Sequence, residues 1–285
     1  MVQNLAMLPT EPPLTDRAYA FLTDLVYRRS RIRLGPDKRA LIAGRLAGRL
    51  RDLGCDTFDA YCSLLGSAHD DEAERLIDLV STNHTHFFRE PAHFQFLAAE
   101  VLPAAAVRAQ AMQRPLRVWS AAASSGEEAY SLAIVLAEFF RGRPATPWEV
   151  RASDISRRML DRCRLGVYEA NRVRLPDEAF LGRYFRRGFG SREGLYRVKP
   201  DVRQRVTVSA INLFAADYPV PRGLDVVFCR NVMIYFDQPS RQILVQRLFE
   251  QLAPGGHLFV GHAESLLGLE HGFRQVRPAV YERPV

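Results

Sequence analysis

Arg117-Val118-Trp119-Ser120-Ala121-Ala122-Ala123-Ser124-Ser125-Gly126-Glu127-Glu128-Ala129-Tyr130-Ser131-Leu132 reads as a buried strand, a tight loop of small residues, and a helix start carrying two carboxylates. A loop built for phosphates wants successive glycines and a Lys, or helix N-terminal N–H groups aimed at negative charge. This loop offers one glycine, Gly126, and then two anions, Glu127 and Glu128. The ligand it predicts is a cofactor with positive charge beside its ribose. S-adenosylmethionine, with a sulfonium and an α-ammonium, fits better than NAD or ATP. Small side chains let the backbone approach an adenosyl group, and a Glu can hold an ammonium through a charge-assisted hydrogen bond. The competing reading is an ordinary strand-to-helix turn whose surface acids are favoured by the helix dipole.

Downstream of this unit, strands and helices alternate. A strand ends at Ala152-Ser153-Asp154, a helix runs from Ser156 to about Leu165, and a strand lies near Val206 to Ile211. A strongly apolar strand at Asp225 to Cys229 precedes a helix from Pro239 to Leu252. Gly255-Gly256, a strand from His257 to Gly261 and a last strand near Val276 to Tyr281 close the chain. This pattern predicts an α/β doubly wound parallel sheet finished by one antiparallel strand, the arrangement of class I methyltransferases. Residues 180–202 read as an inserted β-hairpin, two short β-like runs around the glycine-bounded stretch Gly188 to Gly194. Its exposed edge suits the addition of a peptide strand, and a loop that merely covers the sheet is the alternative.

Upstream, the pattern is helical. Pro36 suits a first helical position, and Ile42, Leu46, Leu50 and Leu53 fall on one stripe while Lys38, Arg45 and Arg49 share another. Helices at Thr57 to Leu65 and Asp70 to Val80 complete a small bundle. The predicted division is an N-terminal all-α domain over residues 1–85 and a sheet domain over residues 86–285.

The chain has 285 residues, 47% hydrophobic and 25% charged, the composition of a soluble globular protein. Its longest apolar stretch, Tyr130 to Phe140, is too short for a bilayer, and the start, with Glu11, Pro12 and Pro13, lacks a secretion signal's basic and apolar regions. A cytoplasmic location is expected. Cys55, Cys62, Cys163 and Cys229 form no CxxC pair, so reduced thiols are expected rather than a disulfide framework or zinc knuckle. From Arg28 to Arg51 nine Lys or Arg face one acid, Asp37, and from Asp52 to Val80 eight acids face only Arg75. The basic block predicts an acidic partner.

Asp154, at a strand's carboxyl end, is placed to accept from both ribose hydroxyls, with N-capping of the next helix as the competing role. His84, His86 and His93 raise a metal hypothesis, but no Cys or carboxylate cluster stands at metal-ligand spacing. Phe87 and Phe88 read as core. Arg89, following them, is a candidate to hold a substrate carboxylate through its planar fork. No GxSxG elbow exists, and Cys229 on an apolar strand would have a raised thiol pKa, so nucleophilic catalysis is disfavoured.

Together the segments Thr82-Asn83 through Arg89-Glu90, Trp119-Ser120 through Ser131, Ala152-Ser153-Asp154-Ile155, Asn212-Leu213, Phe228 through Asp237, and Gly261-His262-Ala263-Glu264-Ser265 resemble the chemotaxis receptor glutamate methyltransferase family, CheR. The resemblance implies that Asn83, Thr85, Arg89, Glu128, Asp154, Asn212, Leu213, Arg230 and Asn231 surround S-adenosylmethionine, with Glu128 favoured over Glu127 for the ammonium. It implies that Arg89 and Tyr235 face the reacting carboxylate, and that no metal is used. It further implies that Lys38, Arg45 and Arg49 approach the acidic methylation helices of a chemoreceptor cytoplasmic domain. The loop with Gly188, Gly190 and Gly194 resembles the one that docks a receptor tail peptide in some members. No helical repeat follows Val285, as in the stand-alone form. Two rivals remain at this point: an RNA methyltransferase using the basic helix on phosphates, and a non-enzymatic adaptor that keeps the pocket as a sensor.

Overall fold

A computed structural model describes residues 12–67, 70–143 and 146–285. Glu11 and the residues before it, on which the reading of the chain's start rests, lie outside the described residues. Two compact units meet between Ser81 and Thr82. The boundary thus precedes the expected one after residue 85, because the Asn83 carbonyl accepts from Ser124 Oγ (3.3 Å), which draws that stretch into the sheet unit.

The first unit is helical: α1 (Asp16–Ser30), α2 (Arg39–Asp52), α3 (Phe58–Gly66) and α4 (Asp70–Val80). Thr15 and Thr57 cap α1 and α3, accepting from Ala18 N and Ala60 N at 3.1 Å each. Leu22, Val26, Ile42, Leu46, Leu50, Phe58, Tyr61 and Leu76 form the core. Pro36 opens a separate 3-10 turn, Pro36–Lys38, ahead of α2 rather than the single helix expected.

The second unit begins with α5 (Pro91–Phe96), which runs through a π-helical segment, Leu97–Val101, into α6 (Leu102–Ala111). Then follow β1 (Leu116–Ser120), α7 (Glu127–Phe140), β2 (Trp148–Asp154), α8 (Arg157–Leu165), β3 (Val167–Glu169), α9 (Ala179–Tyr184), β4 (Phe185–Arg187), β5 (Leu195–Val198) and α10 (Pro200–Arg203). The chain ends with β6 (Val206–Ala210), β7 (Leu224–Phe228), α11 (Gln238–Gln251), β8 (Leu252–Phe259), β9 (Arg274–Arg277) and β10 (Val280–Glu282).

Seven strands form one sheet in the order β6-β2-β1-β7-β8-β10-β9. The first five are parallel, and β10 runs antiparallel to β8. Alternate residues supply opposite faces: Val118, Val150 and Phe228 belong to one buried cluster, Trp119, Val227 and Leu258 to the other. Both faces are therefore covered, which is why β7 reads as a continuous apolar run rather than an alternating one.

Three details differ from the sequence reading. The insert is a three-stranded sheet, β3-β5-β4, not a two-run hairpin, because Val167–Glu169 turns back to pair with β5. The single expected closing strand is a β9–β10 hairpin turned at Ala279 (φ 60°). Finally, Gly255-Gly256 lies inside β8 at a register shift, not ahead of the strand.

Candidate cofactor-binding and catalytic rim

In a parallel sheet of this kind the loops after the strands gather at the carboxyl edge. Here that edge carries the loops after β1, β2, β6 and β7. The loop after β1 is stitched to its neighbours, Ala121 N donating to Phe228 O and Ala123 N to Ser153 O, both at 2.8 Å. It then turns through Ser124 (φ 48°) and Gly126 (φ 97°). A Cβ at Gly126 would stand 2.5 Å from Cys163 Sγ, so the sheet-to-helix approach itself demands the glycine.

Asp154 is buried at the end of β2. Its Oδ2 accepts from Ser124 N (2.8 Å) and its Oδ1 from Ser156 N (2.9 Å), so it braces the β1 loop against the β2 loop. The cap of α8 is Ser156, whose Oγ accepts from Met159 N. Ile211 N donates to Asp154 O (3.1 Å), bringing Asn212 and Leu213 beside the same strand end. Asn212 Oδ1 accepts from Phe214 N (2.9 Å) in a local turn, and Leu213 is buried.

The paired acids divide. Glu127 is wholly buried, accepting from Ser125 Oγ and from Arg172 Nη2, each at 2.6 Å. Burial pushes its carboxyl up, against those two contacts. Arg172 lies between β3 and α9, and Tyr168 on β3 donates to Ser125 O (2.8 Å), so the insert grips the β1 loop from below. Glu128 instead faces the rim, where Ser120 Oγ donates to Oε1 (2.7 Å) and Arg230 Nη1 to Oε2 (3.0 Å). Burial raises its carboxyl too, opposed chiefly by Arg230.

Arg230, just past β7, is the hub. Its side chain is 1% exposed and lies over the rings of Phe94 and Phe228. Nη2 reaches Glu90 Oε2 (2.8 Å) and Arg89 O (2.6 Å) while Nη1 holds Glu128. Burial works against the charge on Glu90, but the Arg230 hydrogen bond wins and holds its carboxyl below the usual range. Glu90 Oε1 also accepts from Asn231 Nδ2 (3.2 Å), and Asn231 takes a left-handed φ of 58°. Half-buried Arg89 donates from Nη1 to His84 O (2.9 Å), and Arg172 reaches Thr85 O at 3.5 Å. Tyr235 sits at the end of a 3-10 turn, Met233–Tyr235, and among the described residues no hydrogen bond ties its hydroxyl. Phe87 and Phe88 are core, as expected, and burial pushes the Cys229 thiol well up.

His93 joins neither His84 nor His86. Glu90, His93 and His262 stand with donor atoms within 4.8 Å of one another. The Glu90 oxygen they would share with a cation already accepts from Arg230, whose positive charge opposes one there. His93 is 4% exposed at its side chain, and among the described residues neither ring nitrogen is hydrogen-bonded, although Nδ1 lies 3.5 Å from Glu90 Oε2. Burial first, then Arg230, push its pKa down to about 4. A histidine held neutral binds fewer protons folded than unfolded, so stability falls as pH drops from the ordinary value towards 4, by about 3 kcal/mol in full. Denaturant titrations at pH 7 and pH 5 should show His93→Phe losing part of the wild-type pH dependence. Identical dependence in both proteins would mean that His93 charges freely in the fold.

The donor set fits S-adenosylmethionine: a buried acid, Asp154, at a strand end, a second acid, Glu128, at the start of α7, and small residues between them. A phosphate would meet a helix start that already carries Glu127 and Glu128. Residues 83–281 match the CheR methyltransferase, SAM binding domain, and residues 17–81 match the CheR methyltransferase, all-alpha domain. The chain belongs to the CheR methyltransferase family. It is 40% identical over 94% of its length to the chemotaxis protein methyltransferase of Escherichia coli strain K12, covering 91% of that protein. Against chemotaxis protein methyltransferase 2 of Pseudomonas aeruginosa it is 41% identical, covering 94% of this chain and 93% of the relative. Against the Salmonella typhimurium chemotaxis protein methyltransferase the identity is 39%, covering 99% of this chain and 92% of the relative. S-adenosylmethionine is the cofactor of the matched CheR domain and of this chain. No described helix is long and apolar enough to cross a membrane.

Asn83, Thr85, Arg89, Glu128, Asp154, Asn212, Leu213, Arg230, Asn231 and Tyr235 all lie in the second unit, Glu128 at the start of α7, Asp154 at the end of β2 and the rest between the helices and strands of the sheet or in the Met233–Tyr235 turn. The remaining sequence candidates lie elsewhere. In the helical unit, Arg45 Nη1 donates to Val80 O and Ser81 O (2.6 and 2.9 Å), closing the last carbonyls of α4. Arg49 Nε donates to Glu72 Oε1 (3.0 Å), which also accepts from Tyr61 Oη (2.9 Å). Lys38 is exposed, beside Asp37. In the insert, a Cβ at Gly188 would stand 2.1 Å from Arg192 O, while Gly190 and Gly194 take positive φ, so turn geometry alone requires all three. Sequence reasoning missed Glu90 and Glu264 as framework, although both stand in segments that carry the family resemblance.

Proposed function

We propose that the chain transfers the methyl group of S-adenosylmethionine to glutamate side chains of a chemoreceptor's cytoplasmic helices, giving γ-methyl esters in chemotactic adaptation. The observation that carries this reading is the Arg230 hub, which joins the Glu128 rim acid to the backbone of Arg89. The cofactor supplies an electrophilic methyl carried on a sulfonium. Asp154 would hold its ribose hydroxyls and Glu128 its ammonium, and Asn83, Thr85, Asn212, Leu213, Arg230 and Asn231 would line its surroundings. Arg89 and Tyr235 orient the acceptor carboxylate. That carboxylate is ionised at neutral pH, so no residue needs to serve as general base. A rim that excludes water favours the charge-dispersed transition state over solvated ions. Orientation must not become tight holding, since equal binding of ground and transition states would not speed the step.

Receptor approach falls to the basic face of the helical unit. Lys38 makes the contact, and Arg45 and Arg49, tied inward, contribute their field. Incubation with tritium-labelled cofactor and membranes bearing the chemoreceptors of the organism that encodes the chain tests the reading. Label should enter receptor protein and be released by mild alkali as methanol, as from an ester. Alkali-stable label, label in RNA, or cofactor binding without transfer would each overturn it.

A tail peptide of the receptor is proposed to add as a strand to β4, an edge of the insert sheet, beside Phe189, which is 82% exposed. Removing residues 188–194 should abolish capture of receptor C-terminal peptides ending in an aromatic residue. It should leave methylation of a tail-less receptor near wild type. Failure of the intact protein to capture such peptides would remove the dock.

A further inference from the structure

After β8 the chain makes a tight turn, Glu264 N donating to Gly261 O (2.8 Å), which points the Glu264 side chain back under the rim. Glu264 is 6% exposed, and among the described residues no Lys, Arg or His pairs with it. A buried carboxylate needs donors, and this one finds them in three backbone amides. Oε2 accepts from Gly261 N (2.6 Å) and Asn231 N (2.7 Å), and Oε1 from Ile234 N (3.3 Å).

Two of those amides belong to the segment after Arg230. Asn231 holds a left-handed conformation, which Asn tolerates better than other L residues, and in it its N–H donates to Glu264. Ile234 lies in the first turn of Met233–Tyr235, whose leading N–H groups have no intrahelical partner, and Val232 provides no side-chain cap. Glu264 supplies that cap from a distant part of the chain. The space is reserved for it, since a Cβ at Gly261 would lie 2.4 Å from Asn231 Nδ2 and 2.9 Å from Glu264 Oε2.

We propose that Glu264 is the positioning residue of the methyl-transfer site, its carboxylate fixing Asn231 and the Met233–Tyr235 turn so that the Tyr235 hydroxyl meets the acceptor. The inference rests on the reading above that Tyr235 faces the acceptor carboxylate. In Glu264→Gln one acceptor oxygen becomes an NH2 group, leaving a donor against a donor. Methylation of receptor-bearing membranes should fall in kcat by about tenfold or more, the scale of a misplaced catalytic group, while the calorimetric Kd for S-adenosylhomocysteine changes by less than about fivefold. In a Tyr235→Phe background the same substitution should cost less than about twofold further, because both changes remove one effect.

A wild-type kcat in Glu264→Gln overturns the proposal, as does an undiminished further loss in the Tyr235→Phe background. Wild-type kcat in Tyr235→Phe alone overturns the Tyr235 reading instead, and the inference with it. If Glu264→Gln does not fold, Glu264→Asp, which keeps the charge one methylene short of its amides, runs through the same cycle with the same outcomes.

Discussion

Replacing Arg230 with Ala is expected to cost about 3–5 kcal/mol of folding stability, the scale of removing one partner from a buried ion pair. The side chain is 1% exposed and faces two carboxylates, Glu90 and Glu128, which are 14% and 12% exposed at theirs. Without the guanidinium, both acids lose their only close Arg or Lys partner among the described residues, and Arg89 O loses a donor. Burial already raises the Glu128 carboxyl against Arg230, so its removal pushes that carboxyl further up and weakens the hold on a cofactor ammonium proposed for it. Arg230→Lys should recover little, since a compact ammonium cannot span Glu90, Glu128 and the Arg89 carbonyl as a planar fork does. Urea unfolding read by circular dichroism measures the loss, and a change below about 1 kcal/mol would show that water re-enters and satisfies the acids.

Arg89→Ala should lower methylation by about a hundredfold or more while leaving the Kd for S-adenosylmethionine within a few-fold. Among the described residues the Arg89 guanidinium makes one hydrogen bond, to its own loop at His84 O, so it is not consumed by the framework as that of Arg230 is. Its proposed work is orientation of the acceptor carboxylate, where losing a charge-assisted, geometrically fixed contact acts on the rate rather than on cofactor affinity. Parallel loss of both quantities, by calorimetry and single-turnover transfer, would reassign Arg89 to the cofactor.

The sheet was legible in the chain where physics leaves a local trace. β7 is visible because both its faces are buried, and the β1 loop because small residues and a glycine must stand together there. β3 was not legible: three residues carry no periodicity, and their pairing with β5 depends on chain returning from beyond α9. The same holds within the site. Asp154 and Glu128 announce themselves as acids at a strand end and a helix start. Glu90 and Glu264 are defined by partners far away in sequence, Arg230 in one case and the amides of Asn231 and Ile234 in the other. Charge counting grouped Lys38, Arg45 and Arg49 on one stripe, yet gave no warning that Lys38 falls in a separate 3-10 turn or that Arg45 and Arg49 turn inward to a helix end and to buried Glu72. A charge pattern specifies a face, whereas its occupancy depends on what folds against it.

The small insert has a root and a canopy with opposite tolerances. Tyr168 and Arg172 at its root hold the Ser125 carbonyl and the wholly buried Glu127 beneath the cofactor loop. Among the described residues, the canopy from Gly188 to Gly194 meets the root only through the backbone, Ala170 N donating to Gly194 O (2.8 Å). Exchanging the canopy therefore changes peptide capture and leaves the methyl-transfer rim in place, but cutting the appendage at its base would strand a carboxylate in the protein interior. A leaner version of this enzyme must keep Val167 through Arg172 together with Leu195–Val198, the strand that pairs with Val167–Glu169.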